Sequence, residues 1–200
     1  MEEYLKDEVV RTRKTEYPIH PLIQGRCSPR AMTGEEMSDG ELMALFEAAR
    51  WSPSSYNGQP WRFVYVKRDT PHWPKLHDTL IEFNQKWTAK ASALVLVISR
   101  DTFEHNGKPA RTHSFDTGSA WMALALEASH RNLVTHGMEG FDYDKARSNL
   151  QVPSGYTVEA MIAIGKPAAK SSLPEDILKR EVPSTRRPLS EIVKEGSFSF

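Results

Sequence analysis

Ala93-Leu94-Val95-Leu96-Val97-Ile98 is apolar at every position, and half of its side chains are β-branched. A strand that presents apolar side chains on both faces needs cover on both, so this segment reads as an interior strand, central in its sheet, with helices above and below. Upstream, Trp61, Phe63 and Tyr65 alternate with Arg62, Val64 and Val66, which fits a strand whose two faces differ in polarity. Downstream, Val158, Ala160, Ile162 and Ile164 alternate with Glu159, Met161 and Ala163 as far as Gly165-Lys166-Pro167, and read as another strand.

Helical patterns surround these strands. Ser38-Asp39-Gly40-Glu41 has the form of a capping box, and Leu42, Leu45, Phe46 and Ala49 then mark one apolar face. Phe115 to Leu133 is rich in Ala, Leu and Met around most of its circumference, so it is expected to be buried on more than one side, within its own subunit or in an oligomer interface. Asp142 to Leu150 reads as a short helix that ends before Pro153. Met1 to Gln24 is charged and shows no helical or strand periodicity, so residues 1–24 are expected to form an arm. From Ala168 on, Pro174, Pro183 and Pro188 interrupt a stretch too apolar at Leu173, Ile177, Leu178, Leu189, Ile192 and Phe198 for a solvated linker. Residues 168–200 therefore read as a tail of the same domain wrapping a surface, its own or that of a partner subunit, and 25–167 as the core of one α+β or α/β layered domain.

The 200 residues suffice for a single buried core, and a formal net charge of +0 offers no field for nucleic acid or an anionic membrane. The apolar runs are too short to cross a bilayer. One cysteine, Cys27, and a Met1-Glu2-Glu3 start without an apolar run lead to the expectation of a reducing cytoplasm. The 7 histidines are scattered without metal-ligand spacing, and no nucleophile elbow, dinucleotide fingerprint or P-loop is present.

Between the first helix and the first strand lies Pro53-Ser54-Ser55-Tyr56-Asn57-Gly58-Gln59-Pro60. Pro53 should end the helix and Pro60 should launch the strand. Between them, uncharged hydroxyls and amides suit the edge of a heterocycle or a sugar chain better than a metal; a turn bonded only to its own backbone is the alternative. Arg26 and Arg30 fall one turn apart if their segment is helical, with Ser28 between them, so both could reach one anion. Arg186 and Arg187 stand side by side in the apolar tail, where a pair of cations calls for a partner. Cys27 beside Arg26 is a candidate for a lowered pKa, with simple packing as the alternative, and has no catalytic role assigned.

Taken in order, Arg26-Cys27-Ser28-Pro29-Arg30, Ser38 to Phe63, Gly137-Met138-Glu139-Gly140-Phe141-Asp142 and Arg186-Arg187-Pro188-Leu189-Ser190-Glu191-Ile192-Val193 resemble the nitroreductase family of FMN-dependent oxidoreductases. The resemblance implies an α+β fold, an α/β/α sandwich whose central, mainly antiparallel sheet is flanked by helices, in an intertwined homodimer with two FMN sites at the interface. It implies that Arg26, Cys27, Ser28 and one or both of Arg186 and Arg187 lie at the FMN phosphate, with Arg30 nearer the ribityl chain or the ring. Pro53, Ser54, Ser55, Asn57 and Gln59 would approach from the other subunit. Asn84 would sit by the pyrimidine, and the Met138-Glu139-Gly140 turn would aim the backbone N–H groups of Glu139 and Gly140 at flavin N5. Judged alone, Gly137 and Gly140 could equally be a helix cap and a loop. The chain departs from the family where a lysine is common, since that position falls on Trp87, with Lys86 and Lys90 nearby.

The implied activity is transfer of hydride from NADH or NADPH, through flavin N5, to a small-molecule acceptor such as a nitroaromatic or quinone, in a ping-pong sequence without a catalytic protein side chain. Trp73, Trp87 and Phe103 are candidates for acceptor specificity. A non-enzymatic flavin-binding module, or reduction of an activated alkene on the same flavin, are the alternatives.

Overall fold

The computed structural model describes residues 3–200, with side-chain surroundings from residue 7; the Met1-Glu2 start lies outside the described residues. Helices α1 (Glu3–Thr12), α2 (Pro21–Gly25) and α3 (Asp39–Arg50) precede strand β1 (Trp61–Lys67). Helices α4 (Pro74–His77) and α5 (Glu82–Thr88) lead to β2 (Ala93–Arg100), and the long α6 (His113–His130) leads to β3 (Val134–Met138). Helix α7 (Tyr143–Asn149), strand β4 (Tyr156–Gly165) and helix α8 (Glu175–Leu178) complete the order.

The strands form one sheet in the order β1-β2-β4-β3, antiparallel throughout. Val95 of the interior strand β2 sits opposite Tyr65 on one side and Ile162 on the other. Its alternation divides the core. Leu94, Leu96 and Ile98 pack with Leu76, Trp87, Phe141 and Ile177, whereas Ala93, Val95 and Val97 pack with Leu42, Leu45 and Ala49 of α3 and Ala120, Leu124 and Ala128 of α6. The result is the helix-sheet-helix sandwich that the all-apolar strand requires. The alternation in β4 is broken once, between Val97 and Ile98 of its neighbour, whose partners are Ala160 and Val158. Glu159 is the extra residue of this bulge, and the skip turns Val158 onto the Leu94 face.

Helix α3 begins as its sequence dictates. Ser38 Oγ accepts from Glu41 N at 3.2 Å and Glu41 Oε2 accepts from Ser38 N at 2.9 Å, an exchange worth roughly 1 kcal/mol. The helix stops at Arg50, three residues short of Pro53, and Pro60 stands directly before β1.

Two expectations are corrected, and two more concern faces that one protomer leaves exposed. The arm is helical: α1 and α2 occupy it, and Val9 is only 1% exposed. Within the protomer helix α6 buries one face; its other side, with Phe115 77% exposed and Met122 exposed beside it, is the part that the oligomer alternative assigns to an interface. Gly137 and Met138, read as part of a turn, belong to edge strand β3, where Met138 pairs with Met161. The tail is anchored by the buried Ile177, and within the protomer Leu189, Ile192, Val193 and Phe198 beyond it are exposed, as are Arg186 and Arg187.

Candidate functional site

A cavity of about 300 Å³ opens where the two ends of the chain meet. Arg13 from the arm, Arg26, Cys27, Ser28 and Arg30 from the loop after α2, His136 of β3, and Lys170, Arg180, Glu181 and Arg186 from the tail line it. Residues 26–30 are not helical, so the two arginines do not share a helix face; the extended loop still delivers both to the same cavity. Arg187 is not among the lining residues. The notable partner is Arg13, which the arm brings to this cavity without any local motif around it. Its Nη1 donates to Gln24 O at 2.8 Å and to Arg26 O, and its Nε donates to Ser184 O at 3.3 Å.

The lining carries more positive charge than it can neutralise. Burial, and then the neighbouring Arg186 and Arg26, pull the Arg13 guanidinium below its ordinary range. Burial does the same to Arg26, with Cys27 opposing and Arg186 reinforcing. Glu181, the one acid among the described lining residues, is committed: its Oε1 accepts from Arg30 N at 2.6 Å and Ala31 N at 3.3 Å, and its Oε2 pairs with Arg30 Nη1 at 3.3 Å. Arg30 Nε is buried without a protein partner. Arg26 Nη1 donates to Ser28 Oγ at 3.1 Å, holding that hydroxyl in the cavity wall. Cys27 is not activated. Burial raises its pKa more than Arg13 and Arg26 lower it.

His136 forms the floor nearest the sheet. Its Nδ1 lies 3.3 Å from Pro29 O, and its ring centroid lies 4.8 Å from that of Trp87. Burial and then Arg30 bring its pKa down to about 4, so it is a neutral ring at neutral pH. Trp87 is buried, and its Nε1 donates to Asn84 Oδ1 at 3.2 Å, so helix α5 brings no cation here. Lys86 pairs with Glu82 at 3.1 Å, and neither Lys86 nor Lys90 lines the cavity. Arg180 comes from the tail instead, its guanidinium 4.7 Å from the centre of the Phe83 ring.

Asn84 Nδ2 donates to Gly140 O at 3.0 Å, and Ile81 N donates to the same oxygen at 3.1 Å. A Cβ at Gly140 would lie 2.7 Å from Asn84 Nδ2 and 2.8 Å from Ile81 Cδ1, so any larger residue here must displace the ends of those two side chains. The C-cap of α6 is Arg131, followed by Asn132 at φ 65°, which removes the cap reading of Gly137.

The polar turn lies against a different cleft, of about 600 Å³, with Tyr56, Asn57, Gly58, Gln59, Arg62, Glu104 and His105 on its walls. Within one protomer it shares no lining residue with the arginine cavity. Tyr56, Asn57 and Gln59 have φ of 52°, 51° and 44°, three left-handed non-glycine residues within four positions. Ser54 Oγ accepts from Gln59 N at 3.0 Å, so this hydroxyl does bond its own backbone. Asp116 of α6, missed in the sequence, fastens the turn: its Oδ2 accepts from Ser55 N at 3.0 Å and from Thr112 Oγ1 at 3.1 Å. Phe103 packs on Tyr56 edge to face at 5.7 Å, while Trp73 stacks on His77 at 5.3 Å, so of the aromatic candidates Phe103 stands beside the turn.

A sequence profile described as the nitroreductase family matches residues 23–166. The chain belongs to that family. It is 47% identical to a solved structure described as an oxidoreductase containing FMN, with a TM-score of 0.89 over 94% of this chain and 96% of that one. It is 29% identical to an NADH dehydrogenase of Thermus thermophilus over 84% of this chain and 91% of that enzyme. It is also 31% identical to the major NAD(P)H-flavin oxidoreductase of Aliivibrio fischeri, over 41% of this chain and 38% of that protein.

Proposed function

We propose that the protein is an FMN-dependent oxidoreductase that takes hydride from NADH or NADPH and passes it to a small oxidised acceptor, a nitroaromatic or quinone, in two alternating half-reactions. The observation that carries this reading is the cavity in which Arg26, Ser28 and Arg186 meet from opposite ends of the chain around an uncompensated positive charge. Such a donor set fits a phosphate monoester: guanidinium groups offer forked donors, and a hydroxyl completes the shell. The orphaned Arg30 Nε, buried beside them, fits a polar ligand atom as well. The relative described as containing FMN and the NAD(P)H-flavin oxidoreductase support FMN as the ligand and NADH or NADPH as the donor.

Bound FMN would supply a ring that accepts hydride and returns it. The chain's part is to bind, orient and polarise. Arg26, Ser28 and Arg186, with Cys27 packed beside them and Arg187 next in the chain, hold the phosphate end. Arg30, oriented by Glu181, would hold a cation at the ring end of bound FMN and there offset negative charge on the reduced ring. Asn84 acts through Gly140, fixing the carbonyl that shapes the Glu139-Gly140 segment directly after Met138 and β3; the N–H groups of Glu139 and Gly140 would serve the ring from there. His136 stays neutral and adds no further charge. No side chain needs to donate a proton for the first half-reaction.

Pro53, Ser54, Ser55, Asn57 and Gln59 complete the site from a second copy of the chain. The exposed apolar side of α6 and the exposed Ile192, Val193 and Phe198 support such a homodimer. Mixing FMN-loaded protein anaerobically with NADH or NADPH should bleach the flavin absorbance, and a nitroaromatic or quinone should restore it. Protein that binds no FMN, or binds it without bleaching, would refute the assignment. Sedimentation should report a dimer, with FMN occupancy rising as the dimer forms.

A further inference from the structure

The arm that carries Arg13 lies before residue 23, where the family match begins. Yet it reaches across to the tail. Arg13 Nε donates to Ser184 O, Glu16 Oε1 accepts from Leu189 N at 2.8 Å, and Lys170 pairs with Glu8. These contacts join the two ends of the sequence, and they do so at the rim and wall of the arginine cavity, which Val9 also lines.

A purely structural pin needs no charge at this place. Main-chain carbonyls are the acceptors, and a neutral amide could donate to them, as Gln24 Nε2 does to Arg13 O at 2.8 Å. Arg13 instead puts a third guanidinium beside Arg26 and Arg186, and its own charged form is disfavoured there, first by burial and then by Arg186 and Arg26. Glu181 offers no relief, because both of its oxygens are engaged by Arg30 and Ala31. The arrangement is costly empty and favourable around a dianion.

We propose that Arg13 is a ligand-binding residue, and that the phosphate group bound in this cavity is shared by Arg13, Arg26 and Arg186, so that binding fastens the N-terminal arm and the C-terminal tail onto the core. The proposal rests on the flavin reading for the identity of the phosphate ester, and adds to it a residue and a conformational consequence. Helix α1 is then part of the site, loosely held without ligand and secured with it.

The test compares FMN with riboflavin, which has the ring and the ribityl chain but no phosphate. Arg13→Gln keeps a donor for the carbonyls and removes the charge; it should weaken FMN about tenfold and leave riboflavin affinity unchanged, and Arg13→Lys should recover most of the loss. In the wild-type protein FMN, and inorganic phosphate at millimolar concentration, should slow amide exchange in α1 several-fold, whereas riboflavin should not. Equal FMN affinity in Arg13→Gln, or an equal loss of FMN and riboflavin, overturns the proposal. So does α1 exchange that ignores both FMN and inorganic phosphate. A wild-type protein that fails to bind FMN while inorganic phosphate still protects α1 would remove the flavin reading and leave the shared anion site standing.

Discussion

The arginine cavity and the polar turn solve opposite problems. The cavity is assembled from segments at the two ends of the chain, gathers Arg13, Arg26, Arg30, Lys170, Arg180 and Arg186, and leaves positive charge unanswered. The turn comes from one unbroken stretch, carries no charge in residues 53–60, and satisfies Ser54 Oγ and Ser55 N within the protomer. Its tension is in the backbone instead, in the left-handed φ of Tyr56, Asn57 and Gln59. On the proposed function, the cavity is electrostatically unfavourable while empty and is relieved by an anion, whereas the amide-and-hydroxyl corner is set in advance and should change little on binding.

That difference predicts which substitutions trade stability against binding. Arg26→Ala should produce the largest effect, a loss of FMN affinity of 100-fold or more, about 3 kcal/mol, in a fluorescence titration. Ligand-free Arg26→Ala should melt close to the wild type, because the removed charge was itself disfavoured by burial and by Arg186. A large fall in melting temperature without ligand would mean that the cavity is a structural cation cluster.

The second test uses the cavity floor. His136 has a folded pKa of about 4, below the ordinary value of 6.5, so the unfolded chain takes up its proton first as pH falls. Its contribution is complete above about pH 6.5 and is lost progressively toward pH 4, a decline of about 3 kcal/mol that stops once both states are protonated. Urea unfolding across this range should show that slope in the wild type and a flatter one in His136→Phe.

The two regions were also unequally legible. Proline spacing, the Ser38–Glu41 box and the flanking Trp61 mark the polar turn within a continuous stretch, because turn and cap chemistry act over a few residues. Its anchor Asp116 lies 61 positions from Ser55 and carries no local signal. The cavity is worse in this respect. Arg26 and Arg30 could be picked out as a pair, but Arg13 sits in a charged arm whose helix shows a solvent-facing composition and whose partner carbonyl at Ser184 is 171 positions away. Edge strand β3 was hidden by its brevity and by His136 and Gly137, and the Glu159 bulge by an alternation that looks unbroken in one dimension. The interior strand β2 was plain because burial on both faces leaves no polar position to confuse the pattern.

For the turn, Asp116→Ala should cost about 2 kcal/mol with or without FMN, since it strands Ser55 N and Thr112 Oγ1 in a partly buried place. Hydrogen exchange at Ser55 should accelerate with it. If the loss disappears when FMN is bound, the ligand orders the turn and the contrast with the cavity fails.

The smallest effect should have the opposite sign. Tyr56 is 84% exposed, so its side chain contributes little beyond its ring contacts with Phe103 and His105, while its backbone is held at φ 52°. Left-handed strain in a non-glycine residue is of order 1–3 kcal/mol, and glycine adds roughly 0.5–1 kcal/mol of unfolded-state entropy. Strain relief outweighs that entropy, so Tyr56→Gly should raise ligand-free stability by about 1 kcal/mol, a rise of roughly 2–4 °C in melting temperature. The same variant should bind FMN less well, because a corner freed from its enforced geometry must be ordered when the ligand arrives. Lower stability in Tyr56→Gly would mean that the Phe103 contact outweighs the strain, and the turn would then be an ordinary packed loop.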